Sequence, residues 1–293
     1  MHLGVSLQPL GAAATGGTFL DTAAAAERLG FDSVLMSSHL LAGNAGSTMD
    51  PVVLLASVAG HTTRVRLVTS VLVLPYYHPV VLANQLSSLD VLSGGRFVLG
   101  VGAGWNAEEF AAVGVPVDRR GARTDEYLAV LTDLWRGEPV TRTGTFGSLA
   151  GSRIGVTPTT PGGPPRWIGG HSDAALRRAA RFGTGWHGVG VTPAAMPDLR
   201  RRLSAATEAH GRTLADLELS TVSVLVPPGV DPVAGTPYPP LGGHRPSTAS
   251  VVDDLGRLRD EGITLCALWM PVPADRMADA LAWVAEEVRP HLG

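Results

Sequence analysis

Short apolar runs rich in Val, Ile and Leu alternate with longer stretches in which apolar positions recur every three or four residues. The strand-like runs occupy 2–7, 33–37, 66–74, 96–102, 166–170, 186–191, 218–226 and 264–270. After each comes a stretch with helical spacing, at 18–29, 50–62, 79–91, 106–113 with 121–136, 172–182, 194–210, 248–261 and 274–288. Alternation of this kind is the pattern of parallel strands joined by crossover helices. Eight such pairs in 293 residues predict an α/β protein of the (β/α)₈ TIM-barrel class, which typically needs about 250 residues. The reading is of a single domain over residues 1–293.

Two segments break the alternation. Residues 138–165 and 227–247 are rich in proline and glycine and follow neither period, so they read as insertions. The second leaves the seventh strand directly and should emerge at the C-terminal face of the barrel, either as a lid or as a tolerated solvated loop.

The stretch SGGRFVLGVGAGWNAEEF, residues 93–110, raises a competing fold. A strand running into Gly100, Gly102 and Gly104 and then a helix resembles a dinucleotide-binding turn. However, the spacing is G-x-G-x-G rather than G-x-G-x-x-G, the turn lies in the fourth unit, and no strand-ending acid follows about 20 residues on. The barrel accounts for the segment better.

Composition narrows the chemistry. With 45% hydrophobic and 17% charged residues and a formal net charge of −3, the chain has a core to bury and no basic stripe suited to a phosphate backbone, so nucleic acid is not an expected partner. The one cysteine, Cys266, cannot form an internal disulfide, and no apolar run reaches the roughly 18 residues needed to cross a bilayer. A cytoplasmic protein acting on a small-molecule substrate is expected, with no membrane partner and with a homodimer among the expected assemblies. All 23 basic residues are arginine. Schiff-base chemistry and the lysine-dependent phosphate loop are therefore excluded.

In a barrel, chemistry sits at the C-terminal ends of the strands. Those positions hold Ser6 and Gln8, Ser37 to His39, Ser70 onward, Ala103 to Asn106, Gly169 to Ser172, His187, and Trp269 with Met270, with no acid among them. A glycosidase would need two facing carboxylates and a metallohydrolase a ligand cluster; no metal site is expected. Asp50, Glu108 and Glu109 open helices, where charge–dipole and capping effects explain them, although Glu108 is placed to reach into the mouth. A mouth so lined suits a cofactor that brings its own reactivity. Gly169 and Gly170 before a Ser172 cap fit an anion site at a helix start.

AERLGFDSVLMSSHL, the stretch from Asp50 through Pro116, RGARTDEYLAVLTDLW and PPRWIGGHSDAALRRAARFGTGW together resemble the luciferase-like monooxygenase superfamily, and within it the coenzyme F420-dependent oxidoreductase branch, over about residues 1–190. The resemblance implies a (β/α)₈ barrel binding the deazaflavin F420, with FMN as the alternative cofactor. It further implies a non-prolyl cis peptide at Ser70–Val71 pressing on the cofactor ring, and Ser38, Ala103, Gly104 and Asn106 around the ring. Gly169, Gly170, His171 and Ser172 would hold its phosphate. His39 would be the catalytic residue at the ring's polar edge, and Trp105 and His187 would line the substrate pocket.

Three departures bear on function. Where the branch commonly reads Ser-Asp-His, this chain has Ser37-Ser38-His39; its glucose-6-phosphate dehydrogenases place an acid where Trp105 stands; and GTGW replaces GDGW, leaving Thr184 in place of an acid. The expected activity is hydride transfer between the deazaflavin C5 and a small organic substrate, with reduction of an activated C=C or C=N bond favoured. An FMN-dependent monooxygenase and a cofactor-binding relative without turnover are the rivals.

Overall fold

The computed structural model describes residues 1–7, 15–41, 49–230 and 237–292. Its strands are β1 His2–Ser6, β2 Ser33–Met36, β3 Arg66–Thr69, β4 Leu72–Val73, β5 Phe97–Gly102, β6 Val140–Thr143, β7 Ser148–Ser152, β8 Arg166–Gly169, β9 Gly185–Val189, β10 Glu218–Val224 and β11 Leu265–Trp269. The nine strands other than β6 and β7 form one parallel sheet in the order β3-β2-β1-β11-β10-β9-β8-β5-β4, and pairing of β3 with β5 closes it. Since β3 and β4 are two halves of one staggered strand, the result is the eight-stranded barrel that the periodicity predicts.

The helices are α1 Gly16–Arg28, α2 Pro51–His61, α3 Pro79–Leu92, α4 Ala107–Ala112, α5 Arg120–Leu134, α6 Asp173–Phe182, α7 Met196–Glu208, α8 Thr248–Asp260 and α9 Met277–Trp283. Several begin where a side chain takes up the first unpaired N–H groups: Asp50 accepts from Val52 and Val53, and Ser172 accepts from Ala175. None of them, among the described residues, is long and apolar enough to cross a membrane.

Strand residues alternate between two cores. One parity, including Leu3, Val5, Leu67, Phe97, Leu99, Ile168, Trp186 and Cys266, packs outward against the helices. The other fills the barrel with Leu35, Val68, Val98, Trp167, Val222, Leu265 and Ala267. The base of the barrel is closed by a bidentate pair between Arg66 and Glu218, at 2.8 and 2.9 Å, with the guanidinium 4.8 Å above the Trp167 ring. With its lower half packed, the barrel keeps an open cavity at the C-terminal ends of its strands.

The segment 138–165, which shows no strand period, nevertheless contains an antiparallel hairpin of β6 and β7. The hairpin is held from α5: the Glu126 carboxylate accepts the N–H groups of Thr145 and Phe146 at 2.8 and 2.9 Å, and Arg142 donates to Asp133. Strands of four and five residues with mixed polarity carry too little alternation to be recognised without that partner. Of 227–247, residues 231–236 lie outside the described residues. The part beyond them is tied down by a bridge between Val224 and Pro240 and by the Gly242 N–H donating to Asp254 at 2.8 Å.

Candidate active site

At the open end lies a cavity of about 1130 Å³. Its lining includes Ser38, His39, Ser70, Val71, Ala103, Gly104, Trp105, Gly169, Gly170, His171 and Ser172. Eleven of the thirteen positions expected from sequence are thus brought together from four strand ends. The exceptions are Asn106 and His187. Gln8 lies outside the described residues.

The floor is built by close approach of main chains. The Ser70–Val71 peptide is cis, as the resemblance implies, and occupies the break between β3 and β4. Beside it, a Cβ on Gly100 would overlap the Thr69 carbonyl oxygen, and one on Gly102 or Gly169 would come within 2.9 Å of a Val71 methyl. Ordinary Cβ contacts are not that short. These glycines therefore let the segment carrying Val71 rise into the lumen, and this is what the glycine-rich stretch encodes. Gly104 turns the chain out at φ +78, where an L side chain is disfavoured.

On one wall, Gly170 has φ +118, and its carbonyl accepts the Trp186 indole N–H at 2.9 Å. Ser172 then caps α6. Two cations that the sequence reading did not foresee line the same cavity, Arg120 from the start of α5 and Arg178 from α6. Arg178 is buried and donates to Asp125 at 2.6 Å and to the Gly121 carbonyl at 3.2 Å. Arg120 donates to the carbonyls of Gly104 and Val117 at 3.1 and 3.0 Å. A helix N-terminus beside two guanidinium groups favours a bound anion. Asp118, Tyr238 and Trp269 also line the cavity.

On the opposite wall stands His39, its Nδ1 3.3 Å from Oε1 of Glu109. The acid that turns inward is Glu109, not Glu108: Glu108 is exposed, whereas the Glu109 side chain is only 1% exposed. The Glu109 carboxylate also accepts the N–H groups of Leu40 and Leu41, at 2.9 and 3.3 Å, and the Tyr76 hydroxyl at 3.0 Å. Burial pushes its pKa up, but these donors and His39 outweigh burial and hold it below the usual carboxylate range. A carboxylate can only accept, so Nδ1 of His39 carries the hydrogen and Nε2 becomes the nitrogen able to gain or lose a proton. Trp105 completes this wall, edge-on to His39 at 6.0 Å between centroids and 68% exposed.

The depressed pKa of Glu109 has a defined sign. Its stabilisation is complete above the unfolded carboxylate value and is lost as pH falls through the folded one. Glu109→Gln should therefore cost about 2 kcal/mol in urea unfolding at neutral pH, the scale of hydrogen bonds to a charged group. The gap to the wild type should close as pH drops below about 4. A constant gap from neutral to acid pH would count against a charged Glu109.

Two expectations are corrected. Asn106 serves as the cap of α4, its Oδ1 accepting from Glu108 and Glu109 at 3.0 and 3.5 Å, so its side chain is committed to the helix rather than to a ligand. His187 lies two residues below the rim of β9, fully buried between Ser70 and Ser220, and does not line the pocket.

The arrangement offers an anion-binding wall, a glycine-cleared floor and a histidine oriented by a buried carboxylate. Among the described residues no group of three His, Cys, Asp or Glu is placed to hold a metal ion. Comparison with known proteins fits this picture. A family profile described as luciferase-like monooxygenase matches residues 1–228. The chain is 37% identical over 206 residues to an F420-dependent glucose-6-phosphate dehydrogenase of Beutenbergia cavernae, covering 66% of this chain and 59% of that one. It is 34% identical over 197 residues to 4-hydroxyprotoasukamycin monooxygenase of Streptomyces nodosus subsp. asukaensis, covering 64% and 53%. A solved coenzyme F420-dependent tetrahydromethanopterin reductase from Methanopyrus kandleri superposes with a TM-score of 0.84 at 16% identity, over 100% of this chain and 99% of that one.

Proposed function

The chain belongs to the luciferase-like monooxygenase family, and on that footing we propose that it is a coenzyme F420-dependent oxidoreductase acting on an apolar organic substrate. The observation that carries this reading is the cavity itself. Ligand sites commonly enclose roughly 300 to 1,000 Å³, and about 1130 Å³ leaves room for a tricyclic ring with a substrate beside it. The residues present fit such a ring: Gly102 and Gly169 leave room for the Val71 side chain, which with them lines the floor on which the ring would lie. Gly170, His171 and Ser172, with Arg120 and Arg178 nearby, would hold its phosphate.

When bound, the deazaflavin supplies hydride at its C5. What the chain itself supplies is orientation, exclusion of water and a proton. His39, held by Glu109, gives up or accepts that proton at Nε2. Trp105, Val73, Tyr238 and Trp269 give the space beside it apolar walls. An acid at the position of Trp105 would suit a sugar phosphate; the indole does not, so an activated C=C or C=N bond in an apolar molecule is the favoured substrate class. Reduced FMN with oxygen is the second reading, motivated by the similarity to the monooxygenase of Streptomyces nodosus.

Anaerobic titration of the protein with reduced F420 and with reduced FMN, followed by absorbance, decides between the two. Saturable F420 binding and its oxidation by an acceptor are expected. Binding of reduced FMN alone, with a transient absorbance on adding oxygen, would replace this reading by the second. Gly170→Glu should weaken cofactor binding at least about tenfold, because it places a negative charge at the anion wall. Gly170→Ala introduces the same backbone strain without the charge, so equal Kd values for the two variants would remove the anion argument.

A further inference from the structure

His187 is a fully buried imidazole held between two hydroxyl groups, with Ser70 Oγ 2.9 Å from Nε2 and Ser220 Oγ 2.8 Å from Nδ1. Its ring stacks on Trp167, with centroids 5.6 Å apart and planes 22° apart. The direction of each hydrogen bond follows from counting hydrogens. Ser220 has one, and its oxygen lies 3.2 Å from the Trp186 carbonyl, which can only accept. With that hydrogen committed, Ser220 Oγ must accept from His187 Nδ1–H. Burial, with a smaller contribution from His171, pulls the His187 pKa down to about 4, so the ring is neutral and has a single N–H. Nε2 is then a lone pair, and the Ser70 hydrogen is drawn to it.

Ser70 lines the cavity, so what it turns toward a ligand is oxygen lone pairs and no hydrogen. We propose that Ser70 is a specificity-determining acceptor in the cavity floor, locked in that sense by His187 as a positioning residue, and that it selects a ligand group carrying its own hydrogen. The protonated ring nitrogen that a flavin gains on reduction is such a group; the same nitrogen in the oxidised ring is an acceptor, and would meet lone pair with lone pair. The choice of a flavin-type ligand rests on the functional reading above. The locked orientation of Ser70 does not.

Two measurements test this separately. Nitrogen NMR of the wild-type protein at neutral pH should find His187 as the Nδ1–H tautomer; the Nε2–H tautomer would overturn the proposal. Anaerobic titrations of wild type and Ser70→Ala with the oxidised and reduced forms of whichever of F420 and FMN the wild type binds should show about 5- to 10-fold weaker binding of the reduced form in the variant. The oxidised form should change by less than about twofold. Equal losses for the two forms would overturn the selection argument, with thermal melting of Ser70→Ala as the check on folding. A wild-type chain that binds neither FMN nor F420 in any redox state would instead overturn the functional reading and this choice of ligand, while the tautomer remains readable on its own.

Discussion

Replacing His39 by Ala is expected to lower kcat by at least about 100-fold, the lower end of what a positioned acid–base group contributes, with the melting temperature little changed. The loss should fall on kcat rather than on KM or on cofactor Kd, because His39 lies across the cavity from the anion wall. Folding should survive: Glu109 keeps the Leu40, Leu41 and Tyr76 donors when the imidazole is gone. Glu109→Gln provides the comparison. An amide can meet Nδ1 with either an acceptor or a donor, so the fixed tautomer is lost and the maximum kcat of this variant should fall, though less than in His39→Ala. Both variants would be assayed by loss of reduced-cofactor absorbance with an acceptor found by screening. Wild-type kcat in His39→Ala would remove the histidine from the mechanism.

Gly100→Ala is expected to be the most damaging single-methyl change in the barrel. The added Cβ would overlap the Thr69 carbonyl oxygen and sit 3.6 Å from a Val71 methyl. Backbone atoms of a paired strand cannot swing away as a flexible side chain can, so β3 and β5 would have to separate. Overpacking a tight core typically costs about 1–3 kcal/mol, and the rigid neighbour puts this site at or above the upper end. Gly60→Ala is the control. It lies in α2 with nothing within 4 Å of a new Cβ, and helix propensity alone should stabilise it by up to about 1 kcal/mol. Urea unfolding of the pair measures the difference. Equal midpoints would mean that Gly100 is not needed for the close approach of the two strands.

How much of this was legible beforehand differs between elements. The eight strand–helix units were readable because each buries a stripe whose period is local, and α6 was marked by Ser172 just before it, whereas the capping role of Asn106 at α4 was not foreseen. The hairpin of β6 and β7 was not, since its order comes from Glu126 and Asp133 on a helix that precedes it. His39 stood out as a histidine just after the second strand, in a stretch that carries the family resemblance. Its partner did not: Glu108 and Glu109 are adjacent, about 100° apart around a helix, and their order along the chain does not say which faces inward. Arg178 reads in sequence as part of an ordinary charged helix face, and only the packing of α6 against α5 turns it to the cavity.

The chain's own order of residues determined the barrel, the floor glycines and the absence of lysine chemistry, because hydrophobic period, conformational freedom and composition are properties of short segments. Tertiary structure decided which groups meet: Glu109 with His39 across 70 residues, Ser70 with His187 across 117, Arg178 with Asp125 across 53. The physical reason is that a hydrogen bond or an ion pair acts over about 3 Å and in one direction. Strand stagger and helix phase must therefore be known to a fraction of a residue before such a pair can be named. His187 shows the distinction most plainly, since its type and strand parity could be read along the chain, but its depth below the rim follows only from how β9 is set against its neighbours.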